Sequence, residues 1–158
     1  MSKAKKRILV AGTFDLIHAG HIYLINQASK LGEVYVIVAT DKNRELFSGE
    51  RPIIPQEQRL EVIRNLKNVK EARLGRNDND TLKTVEEINP DLILLGPDQK
   101  YSIDLLKNEL KKKGLDNIEV KRLETYYDKY ELHSSRLIKK KIIERYEENK
   151  LVNSKNGR

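Results

Sequence analysis

This sequence predicts a doubly wound α/β fold, in which five parallel strands in the order 3-2-1-4-5 carry helices on both faces of the sheet. Two observations carry that expectation. Short apolar runs rich in β-formers, at residues 8–11, 34–39 and 91–96, alternate with stretches whose apolar residues recur at helical spacing. Alternating strands and helices imply a parallel sheet with right-handed crossovers. A length of 158 residues suits one core better than two. Residues 1–150 are therefore expected to form a single domain, and 151–158 a flexible polar tail.

The first run, residues 8–11, closes at Gly12. Ile22, Ile25, Ala28 and Leu31 then keep helical spacing until Gly32 stops them. A second buried strand at 34–39 ends at Thr40-Asp41 and completes a βαβ unit. Residues 40–54 read as a polar loop with Lys42, Arg44, Gly49 and Arg51, leading into Pro52-Ile53-Ile54-Pro55. Pro55 suits the start of a helix whose apolar edge is Leu60, Ile63 and Leu66. Arg59, on that helix, reads on its own as a surface arginine. A third strand at 69–74 leads through the polar turn 75–80 to a short helix over Leu82, Val85 and Ile88, which must end before Pro90. The fourth strand runs into the turn Pro97-Asp98-Gln99. Ser102 can cap a helix carrying Ile103, Leu106 and Leu110, and Gly114 can close it. Residues 117–123 alternate as a fifth strand. An aromatic loop at 124–132 and a helix over 134–148 complete the chain, with Ile138, Ile142, Ile143 and Tyr146 available for burial. In a Rossmann-like sheet of this order the ligand crevice lies between the C-terminal ends of the first and fourth strands, which brings residues 12–21 beside 96–98.

The net charge of +7 is terminal rather than general: residues 1–7 carry four basic and no acidic side chains, and residues 133–158 carry eight and three. The body between has 19 basic and 21 acidic groups. Such a distribution is a solvated helix and a leader more often than a nucleic-acid groove. No run approaches the roughly 18 apolar residues of a membrane span, and a cytoplasmic protein is expected. The absence of cysteine excludes disulfides, thiolate metal ligands and a cysteine nucleophile.

The stretch Gly12-Thr13-Phe14-Asp15-Leu16-Ile17-His18-Ala19-Gly20-His21 joins the first strand to the first helix and fits neither pattern. A helix start offers unpaired N–H groups and a positive dipole end, so the turn after Gly20 is suited to an anion. His18 and His21 place two imidazoles about one turn apart on one face. Both can donate to phosphate oxygens. Capping the helix is another use for such a pair. A structural zinc site is a third, but with only His133 left over its ligand set is thin.

These ten residues resemble the GTFDxxHxGH signature of the cytidylyltransferase-like nucleotidyltransferases. Gly96-Pro97-Asp98-Gln99 is a second point of likeness. His133-Ser134-Ser135-Arg136-Leu137-Ile138-Lys139 is a third, similar to the family's ISSTxIR signature, with Arg136 where threonine is usual and Lys139 where arginine is usual. Asp41-Lys42, residues 52–55 and Gly-Pro-Asp-Gln together are similar to the archaeal FAD synthases, which transfer AMP from ATP to FMN and release pyrophosphate. The resemblance implies that His18 and His21 are catalytic, and that Thr13, Phe14, Ala19, Gly20, Ser134, Ser135 and Lys139 surround the nucleotide phosphates. It implies that Asp98 contacts the nucleoside, and that Asp15, Lys42, Arg59 and Arg122 serve the acceptor or its phosphate. A divalent cation, Mg2+ foremost, is implied on the nucleotide phosphates rather than on protein ligands.

The implied partners are ATP and FMN, with no nucleic acid and no membrane; a homodimer is compatible with them. The nucleophile is then the acceptor's own phosphate, largely dianionic at neutral pH, so neither a general base nor a covalent residue is required. The nearest competitor is the CTP-dependent glycerol-3-phosphate cytidylyltransferase, whose Arg-Thr-Glu-Gly-Ile-Ser-Thr-Thr pattern runs straight into its last helix. Arg122-Leu123-Glu124 resembles the start of that pattern, but residues 125–132 are extra. Tyr126, the tyrosine nearest the strand end, is expected to stack on adenine or isoalloxazine; loop packing is the other use for these tyrosines. A silent nucleotide sensor and a nucleic-acid-binding protein stay open as readings of other classes.

Overall fold

The computed structural model describes residues 3–157. Its centre is a five-stranded, all-parallel sheet of β1 (Arg7–Gly12), β2 (Glu33–Val38), β3 (Val69–Leu74), β4 (Leu92–Leu95) and β5 (Glu119–Arg122), in the expected order β3-β2-β1-β4-β5. The helices among the described residues are α1 (Ala19–Leu31), α2 (Asp41–Ser48), α3 (Gln56–Arg64), α4 (Leu82–Ile88), α5 (Ile103–Lys112) and α6 (Ser135–Asn156).

β1 pairs with β2 from Arg7↔Glu33 to Gly12↔Val38, and on its other edge with β4 through Ile8↔Leu92 and Leu9↔Ile93. Strands covered on both faces read as continuous apolar runs, and their alternating side chains feed two separate cores. Ile8, Val10, Val34, Val36 and Val38 pack on one face with Ile25 and Ala28 of α1 and Leu60 and Ile63 of α3. Leu9, Tyr35, Ile37, Ile93 and Leu95 pack on the other with Val85 and Ile88 of α4 and Leu106 and Leu110 of α5. Fully burying one such aliphatic side chain stabilises the fold by about 1.5–3 kcal/mol. These faces hold the C-terminal ends of β1 and β4 side by side, where the loops converge.

Two elements depart from the sequence expectation. Residues 41–48, expected within a polar loop, form α2, because the Thr40 hydroxyl caps the Asn43 N–H at 3.2 Å and Gly49 closes the far end at φ 73°. No α2 side chain is buried, so no apolar period marks it in the sequence. The final helix, expected to end near residue 148 and give way to a polar tail, continues to Asn156. It also buries none of its side chains: Ile142, Ile143 and Tyr146 are each more than half exposed. At 1.5 Å per residue α6 is about 33 Å long, whereas strands of four to six residues span at most about 20 Å. The helix therefore outruns the surface it could lie on. No helix is long and apolar enough to cross a membrane among the described residues.

Candidate active site

One side chain spans the crevice. Gln99 donates from Nε2 to the Ala11 carbonyl at 2.8 Å, and its Oε1 accepts from the Gly96 N–H at 2.7 Å. The ends of β1 and β4 are thus tied across the point where the winding reverses. Gln99 belongs to the Gly96-Pro97-Asp98-Gln99 motif, but nothing in the sequence marks it for this bridging role.

From Gly12 the chain turns sharply. Phe14 and Leu16 adopt left-handed backbone conformations, at φ 56° and 48°, each of which costs on the order of 1–3 kcal/mol outside glycine. Phe14 is buried, with its ring 5.3 Å from that of His21. A Cβ on Gly12 would lie 3.1 Å from the Phe14 ring, so glycine is what lets the ring fold back. Asp15 is also buried, and its carboxylate accepts from the Ile53 and Ile54 N–H groups at 2.9 and 3.0 Å.

His18 is the N-cap of α1, and its Nδ1 accepts from the Gly20 N–H at 3.1 Å. His21 reaches back, its Nδ1 accepting from the His18 N–H at 3.3 Å. Two histidines thereby form a capping box, a device usually built from a hydroxyl and a carboxylate. Because a backbone N–H can only donate, each Nδ1 must be an unprotonated acceptor, which leaves the ring proton of both neutral imidazoles on Nε2. The rings stack at 3.7 Å. Burial lowers the pKa of His18, with His133 adding to the effect. Burial, helped by His18 and opposed by Asp15, pushes His21 down to about 3. Both rings are therefore neutral at pH 7, each with one N–H left to offer.

Capping and phosphate binding, alternatives at the level of sequence, are compatible here because they use opposite nitrogens. The helix start differs from the expectation in one respect: the Gly20 N–H is already held by His18, so the ring N–H groups left uncommitted by the capping box are those on Nε2. A helix N–H on Nδ1 also polarises that ring toward donating.

The second half of the site arrives with α6. Ser134 caps the helix, its hydroxyl accepting from the Leu137 N–H at 3.2 Å. The His133 carbonyl lies 2.8 Å from where a Cβ on Gly20 would stand, so Gly20 is the residue that lets the start of α6 approach the start of α1. Ser135 donates its hydroxyl proton to the Asp15 carbonyl, and Lys139 pairs with the Asp15 carboxylate at 3.8 Å. Asp98 and Tyr126 come from different loops, and the nearby Asp98 carboxylate, together with burial, raises the pKa of the Tyr126 phenol. Tyr127 instead stacks on Tyr23 of α1 at 4.7 Å, with Tyr130 against its edge. Packing therefore accounts for those two tyrosines, while Tyr126 stays about half exposed beside His133.

Four residues assigned to phosphate or acceptor have other work in the structure. Arg59 is 1% exposed, and its donors go to the Ile54, Thr13 and Ala39 carbonyls and to the Asp41 carboxylate, the last at 2.7 Å. The surface position does not survive, and four of the five guanidinium N–H groups are committed to these acceptors rather than to a phosphate. Arg122 donates to the Gly96, Gln99 and Tyr101 carbonyls and so shapes the turn that carries Asp98. Asp15 secures the 53–54 loop rather than a ligand, and Ser135 has donated its proton to backbone. Asp41, whose backbone N–H and carboxylate both bond to Gln56, completes this lock and was not singled out as a site residue. Lys42, by contrast, is exposed and forms no ion pair among the described residues. Thr13, Phe14 and Ala19 line the turn that positions the two rings.

Residues 9–141 match the family model described as cytidylyltransferase-like. The chain belongs to this family. The cytidylyltransferase-like relatives include an FAD synthase of Thermococcus sibiricus, 43% identical over 92% of this chain and 99% of the relative. An FAD synthase of Methanobrevibacter smithii is 44% identical over 87% of this chain and 90% of its own length. Among solved structures, the lipopolysaccharide core biosynthesis protein of Thermoplasma volcanium superposes with a TM-score of 0.73 at 37% identity, covering 79% of this chain and all of that one. The matched span runs from β1 into α6, so it takes in the histidine capping box, the Gly96–Gln99 turn and the Ser134–Lys139 helix start.

Proposed function

We propose that this chain is an FAD synthase that transfers AMP from ATP to FMN. The observation that carries the reading is the pair of neutral Nε2–H donors, fixed by a capping box at the strand crossover, in a chain whose relatives named FAD synthase match it almost from end to end. An oxygen of the FMN phosphate attacks the α-phosphorus of ATP, one P–O bond forms, the bond to the β-phosphate bridging oxygen breaks, and pyrophosphate leaves with the electron pair. A phosphate dianion needs no activating base. What the protein contributes is alignment and stabilisation of charge on the non-bridging oxygens of the α-phosphorus. His18 and His21 supply that from Nε2, Lys139 and Lys42 add positive charge at the α6 and α2 ends of the crevice, and the Asp98–Tyr126 pair receives the nucleoside.

Divalent-cation dependence goes with this reading. Among the described residues no cluster of three or more His, Asp or Glu side chains could hold a metal ion. In this reading Mg2+ or another divalent ion sits on the nucleotide phosphates, whose charge it would neutralise.

The test is pyrophosphate and FAD formation with ATP or CTP crossed against FMN or glycerol 3-phosphate, with Mg2+ present. ATP with FMN is expected to turn over and the other three combinations to be poor. Comparable turnover of CTP with glycerol 3-phosphate would move the assignment to a cytidylyltransferase.

A further inference from the structure

α2 is an unusual helix. It buries none of its eight residues, yet it ends in two large apolar side chains, Leu46 and Phe47, that are 71% and 75% exposed. Ile53, on the loop that follows, is 56% exposed. Three cations of the same segment, Lys42, Arg44 and Arg51, form no ion pair among the described residues, and neither do Glu45 and Glu50, so its unpaired charges leave a small positive excess, whereas most of the charged groups on β3 and α4 are paired. An apolar patch with free positive charge beside it fits a ligand that is flat and apolar at one end and anionic at the other.

The patch is fastened to the catalytic turn from two sides. Asp41, the first residue of α2, accepts from the Arg59 guanidinium that also donates to the Thr13 carbonyl. The Ile53 N–H donates to the Asp15 carboxylate. Both walls therefore hang from residues 13–15, directly before the histidine pair. Lys42 and Leu46 are four residues apart and share a helix face, and the rise from residue 42 to residue 47 is about 7.5 Å. A five-carbon ribityl chain spans a comparable length.

We propose that α2 and the 50–54 loop hold the flavin ring of the acceptor: with the FMN phosphate toward Lys42, as the family resemblance already implies, the isoalloxazine lies on Leu46, Phe47 and Ile53. This rests on the FAD synthase reading and adds to it the surface that recognises the flavin. FMN is a substrate here, so the patch is covered only while the acceptor is bound, which agrees with its exposure. A glycerol phosphate would leave the apolar half of the site uncovered.

Two variants test the proposal. Because both side chains are exposed, Leu46→Ser/Phe47→Ser should fold normally, raise the KM for FMN by about tenfold or more, and leave the KM for ATP within about twofold. An FMN KM within twofold of the unmodified enzyme overturns the site. The chain has no tryptophan, so Leu46→Trp introduces a single indole whose emission FMN should quench saturably, while ATP alone should not. Absence of saturable quenching likewise overturns the site. The two layers separate cleanly: an unmodified protein that makes no FAD refutes the enzymatic reading, whereas one that makes FAD with both variants behaving as the unmodified chain refutes the acceptor site alone.

Discussion

His18 carries two duties that ordinary substitutions can pull apart. As an N-cap its Nδ1 satisfies the Gly20 N–H, and in the proposed reaction its Nε2–H donates to phosphate. Asparagine can cap a helix but has nothing to present where Nε2 stood. His18→Asn is expected to lower turnover about 10²–10³-fold, as loss of a preorganised transition-state donor does, with little change in thermal midpoint. His18→Ala should lose as much turnover and also about 1 kcal/mol of stability. Stopped turnover and thermal melts of the two variants check this, and an Asn variant with near-normal turnover counts against the donor role. The sequence raises a phosphate site at these residues as an expectation, but does not say how one ring could serve as cap and donor at once. That depends on which nitrogen faces the backbone, a matter of rotamer that spacing does not encode.

At the scale of elements, most of the fold was legible because burial leaves a periodic trace. β1, β2 and β4 lie between two helical layers and read as apolar runs, and the starts of α5 and α6 are written in Ser102 and Ser134. α2 was not legible, since a helix that buries nothing leaves only its capping residues as evidence. The polar lock under the site was equally hidden: Arg59 is bonded mainly to carbonyls, which every residue possesses, so its partners at Thr13 and Ala39 have no sequence signature. Arg59→Met keeps much of the length and removes the charge. It strands the buried side of Asp41 and three carbonyls, and the expected loss is on the order of 3–5 kcal/mol, or roughly 6–20 °C in thermal midpoint for a chain of this size. A midpoint within about two degrees of the unmodified protein would show that the lock holds little. Arg59→Lys should recover only part of the loss, because an ammonium lacks the planar fork that serves four acceptors.

For the whole molecule, the histidine pair couples acid stability to the site. The folded-state pKa of His21, about 3, lies below its ordinary value of 6.5, so between those limits the unfolded chain binds more protons than the native one. Stability should fall as pH is lowered from about 6.5 toward 3 and should be independent of this group above about 7. His21→Asn should show a shallower decline over the same window in thermal melts taken as a function of pH. A steeper decline would mean that the ring gains its proton on folding instead. The most direct measurement is nitrogen NMR of the imidazole rings, which the sequence makes tractable by having three histidines. At pH 7 His18 and His21 should be neutral with the proton on Nε2, while His133, whose Nδ1 lies 2.7 Å from the Tyr130 carbonyl, should carry its proton on Nδ1. Addition of ATP and Mg2+ should shift the two Nε2 protons and leave the His133 tautomer unchanged. A proton on Nδ1 of either His18 or His21, or a charged ring at pH 7, would contradict the capping box and with it the proposed contact with phosphate.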